Sequence, residues 1–187
     1  MKTIKKSIGP IALYFLGLAA YAQGEMKPVD GYSPQIGVMV YMLEDLKSRI
    51  TDQVKDLNQS QTDFLYDEDA NSIGSLVMHL VSTEAYYQVE TIEGRNWTEE
   101  EQKRFGVGGV LNEESKKELQ GKPIQHYLDL WDEVRQKSLS ALKTKDDTWF
   151  ASNLEEGINY HYIWYHVMEH SAAHMGQIAT IKNRLPK

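Results

Sequence analysis

The sequence predicts an all-α domain built as a four-helix bundle, and three observations carry that expectation. Between Pro34 and Pro123, and again from there to Pro186, there is no proline, so two long stretches lack the strongest helix breaker. Four segments repeat apolar residues at spacings of three and four, the helical period. Strand signals are weak: there is no alternating Val/Ile/Thr run, and no Asn-Gly or Asp-Gly turn joins two strand-like runs.

The first helix is expected over 34–58, opened by Ser33-Pro34 and carrying Ile36, Met39, Val40, Leu43, Leu46, Ile50 and Val54 on one face. The second runs over 71–93, with Asn71 or Ser72 as cap, Ile73, Leu76, Val77, Leu80, Glu84 and Tyr87 along one side, and Gly94 after its end. The third spans 123–145 behind Lys122-Pro123, with Ile124, Tyr127, Leu128, Trp131, Val134 and Leu142 inward. The fourth spans 159–184, ahead of Pro186. Four such helices make a bundle. The connection from 94 to 122 is long enough for a crossover or a lid. In it, Thr98-Glu99-Glu100-Glu101 reads as a short capped helix with a solvated charged face, and Gly106, Gly108 and Gly109 read as flexible loop.

A chain of 187 residues with 41% hydrophobic and 25% charged residues fits one soluble domain. Cysteine is absent, which excludes disulfides, thiolate metal sites, a cysteine nucleophile, iron–sulfur clusters and c-type haem. Any metal must be held by His, Asp or Glu. Residues 1–22 read as a secretory signal peptide: Lys2, Lys5 and Lys6, then an apolar stretch from Ile11 to Ala20, then the small-x-small pattern Ala20-Tyr21-Ala22. The apolar run, roughly 10 to 14 residues, is too short for a stable membrane anchor. The expected product is residues 23–187, exported to a periplasmic or extracellular location. Cleavage removes three lysines and no acid, taking the formal charge from −7 to −10, which disfavours a nucleic-acid partner.

Six histidines, at 79, 126, 161, 166, 170 and 174, are the chemically informative residues. At about 100° per residue, the stripe formed by Ile163, Val167, Ile178, Ile181 and Leu185 on the fourth helix includes His174, with His170 on its edge and His166 near the boundary with solvent. His170 and His174, four residues apart, share a face and could bring two imidazoles to one ion. Glu169 precedes His170, so the pattern is not the metalloprotease H-E-x-x-H, and no E-x-x-H pair of the di-iron bundles is present. His79 is the leading third ligand, although by rotation it sits about 100° from the centre of its helix's apolar face, at the rim. His126 and His161 read as surface residues.

The stretch Asn71-Ser72-Ile73-Gly74-Ser75-Leu76-Val77-Met78-His79-Leu80, together with His166-Val167-Met168-Glu169-His170-Ser171-Ala172-Ala173-His174-Met175-Gly176-Gln177-Ile178, resembles the DinB-like (YfiT-like) superfamily of metal-binding four-helix bundles over about 34–184. The resemblance implies metal ligation by His79, His170 and His174, with water in the open positions and a divalent ion such as Zn, Ni, Fe or Mn. His166 is then a substitute ligand or a donor behind the ligands. Gly176 implies a close helix approach behind the site. Met175 stands where the family commonly has arginine, and the family's better-understood members are cytoplasmic enzymes that use small thiols, whereas this chain carries an export signal.

The expected function is therefore that of an exported metal-dependent hydrolase or transferase acting on an unidentified small molecule, with a homodimer left open. Glu84 and Glu169 are the suspects for general base, and Tyr86, Tyr87 and Trp131 could wall a pocket. The rival expectation is a non-catalytic extracytoplasmic bundle that binds a metal or ligand.

Overall fold

The computed structural model describes residues 25–186, so the proposed signal segment 1–22 lies outside the described residues. Four long helices form the bundle: α1 (Pro34–Val54), α3 (Ile73–Gln88), α6 (Ile124–Leu142) and α8 (Tyr160–Lys182). Short helices α2 (Gln59–Thr62), α4 (Glu99–Phe105), α5 (Glu113–Glu118) and α7 (Asp147–Ala151) occupy the connections. α1 packs on α8, α8 on α3, α3 on α6, and α6 closes the ring against α1. No helix among the described residues is long and apolar enough to cross a membrane.

The helix starts follow local chemistry. Pro34 occupies the first turn of α1, where its missing N–H costs nothing. Ser72 caps α3 by accepting from the Ser75 N–H, and Asn159 caps α8 by accepting from Tyr162. Pro123 precedes α6 as its cap residue rather than forming its first turn. Thr98 and Glu101 form the expected capping box of α4. At its far end α3 widens into a π-helical turn, Val89–Glu93, before Gly94 ends it at φ 65°.

Two features depart from the expectations. Strands β1 (Asn153–Glu155) and β2 (Ile158–Asn159) form a small antiparallel hairpin ahead of α8. Its turn uses Gly157 at φ 80°, which supplies the left-handed residue without an Asn-Gly or Asp-Gly pair. The glycines at 106–109 are not loose either: Gly106–Gly108 form a 3₁₀ turn seated on α3, with Gly108 buried.

The apolar interior falls into two clusters. One includes Ile50, Leu76, Trp131, Val134 and Ile178; the other includes Ile36, Leu43, Leu142, Trp164 and Val167. Where they meet, the interior is polar. The Arg135 guanidinium donates to both Glu84 carboxylate oxygens at 2.7 and 2.8 Å, and also to Leu43 O and Glu44. Trp131 Nε1 donates to Glu84 at 2.9 Å. Burial pushes the Glu84 carboxyl up, but the Arg135 charge and hydrogen bonds from Arg135, Trp131 and Ser138 outweigh it and hold it below its ordinary value. Glu84 is thereby committed to structure.

Arg135→Met leaves that carboxylate buried without its cation and should cost about 3–5 kcal/mol in urea denaturation, much of it recovered in Glu84→Leu/Arg135→Met. A carboxyl depressed on folding stabilises above its unfolded value, about 4.3, and loses that contribution as pH falls through the folded value. The gap between wild type and Arg135→Met should therefore narrow in acid.

Candidate metal centre

Residues four apart on a helix share a face, and α8 uses this to aim His170 and His174 at α3, from which His79 faces back. His170 Nε2 lies 2.9 Å from His79 Nε2 and 3.1 Å from His174 Nε2. The candidate ligating atoms of all three residues lie within 4.8 Å of one another. The histidines singled out in the sequence therefore converge on one point.

The opposite ring nitrogens determine what the inner ones can do. His79 Nδ1 donates to Gly108 O at 2.7 Å, and His174 Nδ1 donates to Gln177 Oε1 at 2.9 Å. Carbonyl oxygens only accept, so both Nδ1 atoms carry the proton and both Nε2 atoms present lone pairs to the centre. One proton on His170 Nε2 could satisfy either neighbour but not both. A shared cation satisfies all three at once, and imidazoles fixed by carbonyl partners are the usual arrangement of histidine metal ligands. An ion about 2.0–2.1 Å from each nitrogen in tetrahedral geometry needs the nitrogens roughly 3.3 Å apart, a few tenths of an ångström wider than the two spacings from His170 Nε2.

Burial, followed by the neighbouring histidines His174, His79 and His166, lowers the His170 pKa to about 4. Burial also lowers that of His174, with the Gln177 hydrogen bond opposing and His79 adding to the shift. Both are the neutral imidazoles that metal ligation requires. His174 lies deepest, 8% exposed, while His79 and His170 border a cleft of about 300 Å³ walled by Tyr86, Tyr87, Trp97 and His166.

His166 stands beside the triad, its ring centroid 5.5 Å from that of His170 and its Nδ1 3.1 Å from Glu169 Oε1. His126 is exposed at the start of α6, as expected. His161 is half-buried, stacked on Phe150 at 4.3 Å, away from the triad. Of the suspected bases, Glu84 is held by Arg135 and Glu169 touches only the flank of the site through His166. Tyr86 and Tyr87 do wall the cleft, whereas Trp131 is fully buried core. Met175 packs against the core.

Gly108, read in the sequence only as flexible loop, supports the site. Its carbonyl orients His79, and a Cβ there would press into Ser82 Oγ and come within 2.7 Å of Met78 O on α3. Ser82 Oγ also donates to Phe105 O at 2.6 Å, tying the 3₁₀ turn down. Gln177 was legible as a residue of the motif, three positions after His174, but not as that ring's partner. Gly176 corrects an expectation: it is exposed, and a Cβ would meet nothing within 4 Å, so no helix approaches closely there.

The two glycines should respond oppositely to alanine. Gly108→Ala should destabilise by about 1–3 kcal/mol through overpacking, while Gly176→Ala should stabilise by about 0.5–1 kcal/mol through helix propensity. Urea denaturation of the metal-free variants checks both.

A search of curated proteins found no match to the chain. A family model described as Mycothiol-S-transferase matches residues 38–186, a span that contains all four bundle helices except the first turn of α1. The chain thus belongs to the mycothiol-S-transferase family, a metal-dependent group within the DinB/YfiT-like metalloenzyme superfamily.

Proposed function

We propose that His79, His170 and His174 hold one divalent ion and that the protein is an exported, metal-dependent transferase joining a small thiol to an electrophilic substrate. The observation that carries this reading is the convergence of three Nε2 atoms, two of them fixed as lone-pair donors by Gly108 O and Gln177 Oε1. An all-imidazole donor set suits zinc, nickel or iron better than manganese. When bound, such an ion lowers the pKa of a coordinated thiol or water and polarises a substrate carbonyl. Family membership favours transfer over hydrolysis.

The remaining work falls to the chain's own residues. With Nδ1 engaged by Glu169, His166 has Nε2 left to take the thiol proton at the cleft wall. The sulfur electron pair then forms the new bond to the electrophilic carbon, and the leaving group departs with the pair of the bond that breaks. Tyr86, Tyr87 and Trp97 cover the cleft's sides and limit competing water. The ordered basic, apolar and small residues of 1–22 support export.

Substituting His79, His170 or His174 with Ala should weaken metal binding by more than about 100-fold in calorimetric titration, while His126→Ala and His161→Ala should leave it unchanged. His166→Ala should keep the metal and lose about 10²–10⁴ in thiol transfer. Metal loss in that variant would instead make His166 a fourth ligand and close the site. Full metal occupancy with no transfer across a panel of thiols and electrophiles would point to a non-catalytic binding protein.

N-terminal sequencing of exported material should begin near Gln23. An intact Met1 on a cytoplasmic product would contradict export.

A further inference from the structure

A second cleft adjoins the one at the triad. Tyr86, Tyr87 and His166 are also walls of a second, larger cleft of about 550 Å³, which runs to the β1–β2 hairpin and is completed by Glu90, Glu155 and Tyr162 among others. The two spaces adjoin across that shared wall, the second forming an outer groove beside the cleft at the triad.

The chemistry of the outer groove is one-sided. Three tyrosine rings and two carboxylates face it, and neither Lys nor Arg is among the residues lining either cleft. The carboxylates approach from separate elements: Glu90 from the π-turn that ends α3, and Glu155 from β1. Tyr86 Oη donates to Glu90 Oε1 at 3.1 Å, which holds that carboxylate in place. Burial first, and the Glu90 charge second among its effects on Tyr87, raise the pKa values of Tyr86 and Tyr87, so the rings stay neutral. Neutral aromatic faces beside carboxylates attract an organic cation through cation–π and ionic contacts together. The same groove disfavours a carboxylate or phosphate, since neither Lys nor Arg lines it to offset Glu90 and Glu155.

We infer that the outer groove is the subsite for a positively charged portion of the substrate, an alkylammonium or similar organic cation attached to the group that reacts at the triad. This rests on the reading of the triad as the reaction centre, because the shared wall of Tyr86, Tyr87 and His166 links the two clefts. The apolar stem of such a molecule packs on Leu154, Ile158 and the tyrosine rings, with its cation between Glu90 and Glu155.

Three probes of similar size test the assignment: 2-phenylethylamine, 2-phenylethanol and 3-phenylpropionate, titrated at low salt into the metal-loaded protein, with bound metal measured on the same samples. The amine should bind about five- to tenfold more tightly than the alcohol, and the carboxylate most weakly. Glu155→Gln, on the exposed hairpin, and Glu90→Gln should each remove most of that advantage while leaving metal content unchanged. Equal affinities for amine and alcohol, tighter binding of the carboxylate, or an amine preference that survives both substitutions would overturn the inference even with the metal fully bound. Loss of metal in the unsubstituted protein would count against the triad reading alone.

Discussion

The buried pairing of Glu84 with Arg135 fixes how α3 is turned within the bundle, and the geometry of the site depends on that rotation. Glu84 is anchored toward α6, and through Arg135 toward Leu43 O and Glu44 of α1. His79 lies five residues earlier, which on a helix is about 140° around the axis and 7–8 Å along it. Holding Glu84 against α6 therefore turns His79 toward α8, where His170 and His174 wait. An ion pair that contributes little net stability against a hydrophobic alternative can still select one rotation of a helix whose surface is buried nearly all round.

That near-complete burial explains what could and could not be read beforehand. The four helices were legible because α1 and α6 each keep one apolar stripe and because Pro34, Ser72 and Asn159 mark their starts through local chemistry. His174 was legible because it interrupts the stripe of α8 and is buried there. His79 falls at the rim when its rotation is measured only from the face centred on Ile73, Leu76 and Leu80. Val77, Val81, Ala85 and Met78 are also buried, so α3 has no single inward face, and the side looking at α8 counts as interior too.

Features set by contacts distant in sequence were hidden. Nothing local marks Arg135 as buried, since an arginine on an amphipathic helix ordinarily faces water; its partner lies 51 residues away. Gly106–Gly109 carry the composition of a flexible loop, yet the turn packs because Gly108 has no side chain to hold it off α3. Gly176 shows the reverse, a helix glycine with open space beside it. In each case composition described what the residue permits, and the neighbouring helix decided what it does.

The structure thus divides labour along α3 and α8. Gly108 and Gln177 fix the orientation of two rings, His174 lies deepest, and His79 and His170 border the cleft with His166 at its wall. If the three inner nitrogens share one ion with a coordination position left for substrate, X-ray absorption spectroscopy of the zinc-loaded protein will show it. Three imidazole nitrogens at about 2.0–2.1 Å are expected, plus at least one oxygen ligand that gives way to sulfur when a thiol is added. A closed shell of four imidazoles, unaltered by thiol, would contradict that expectation.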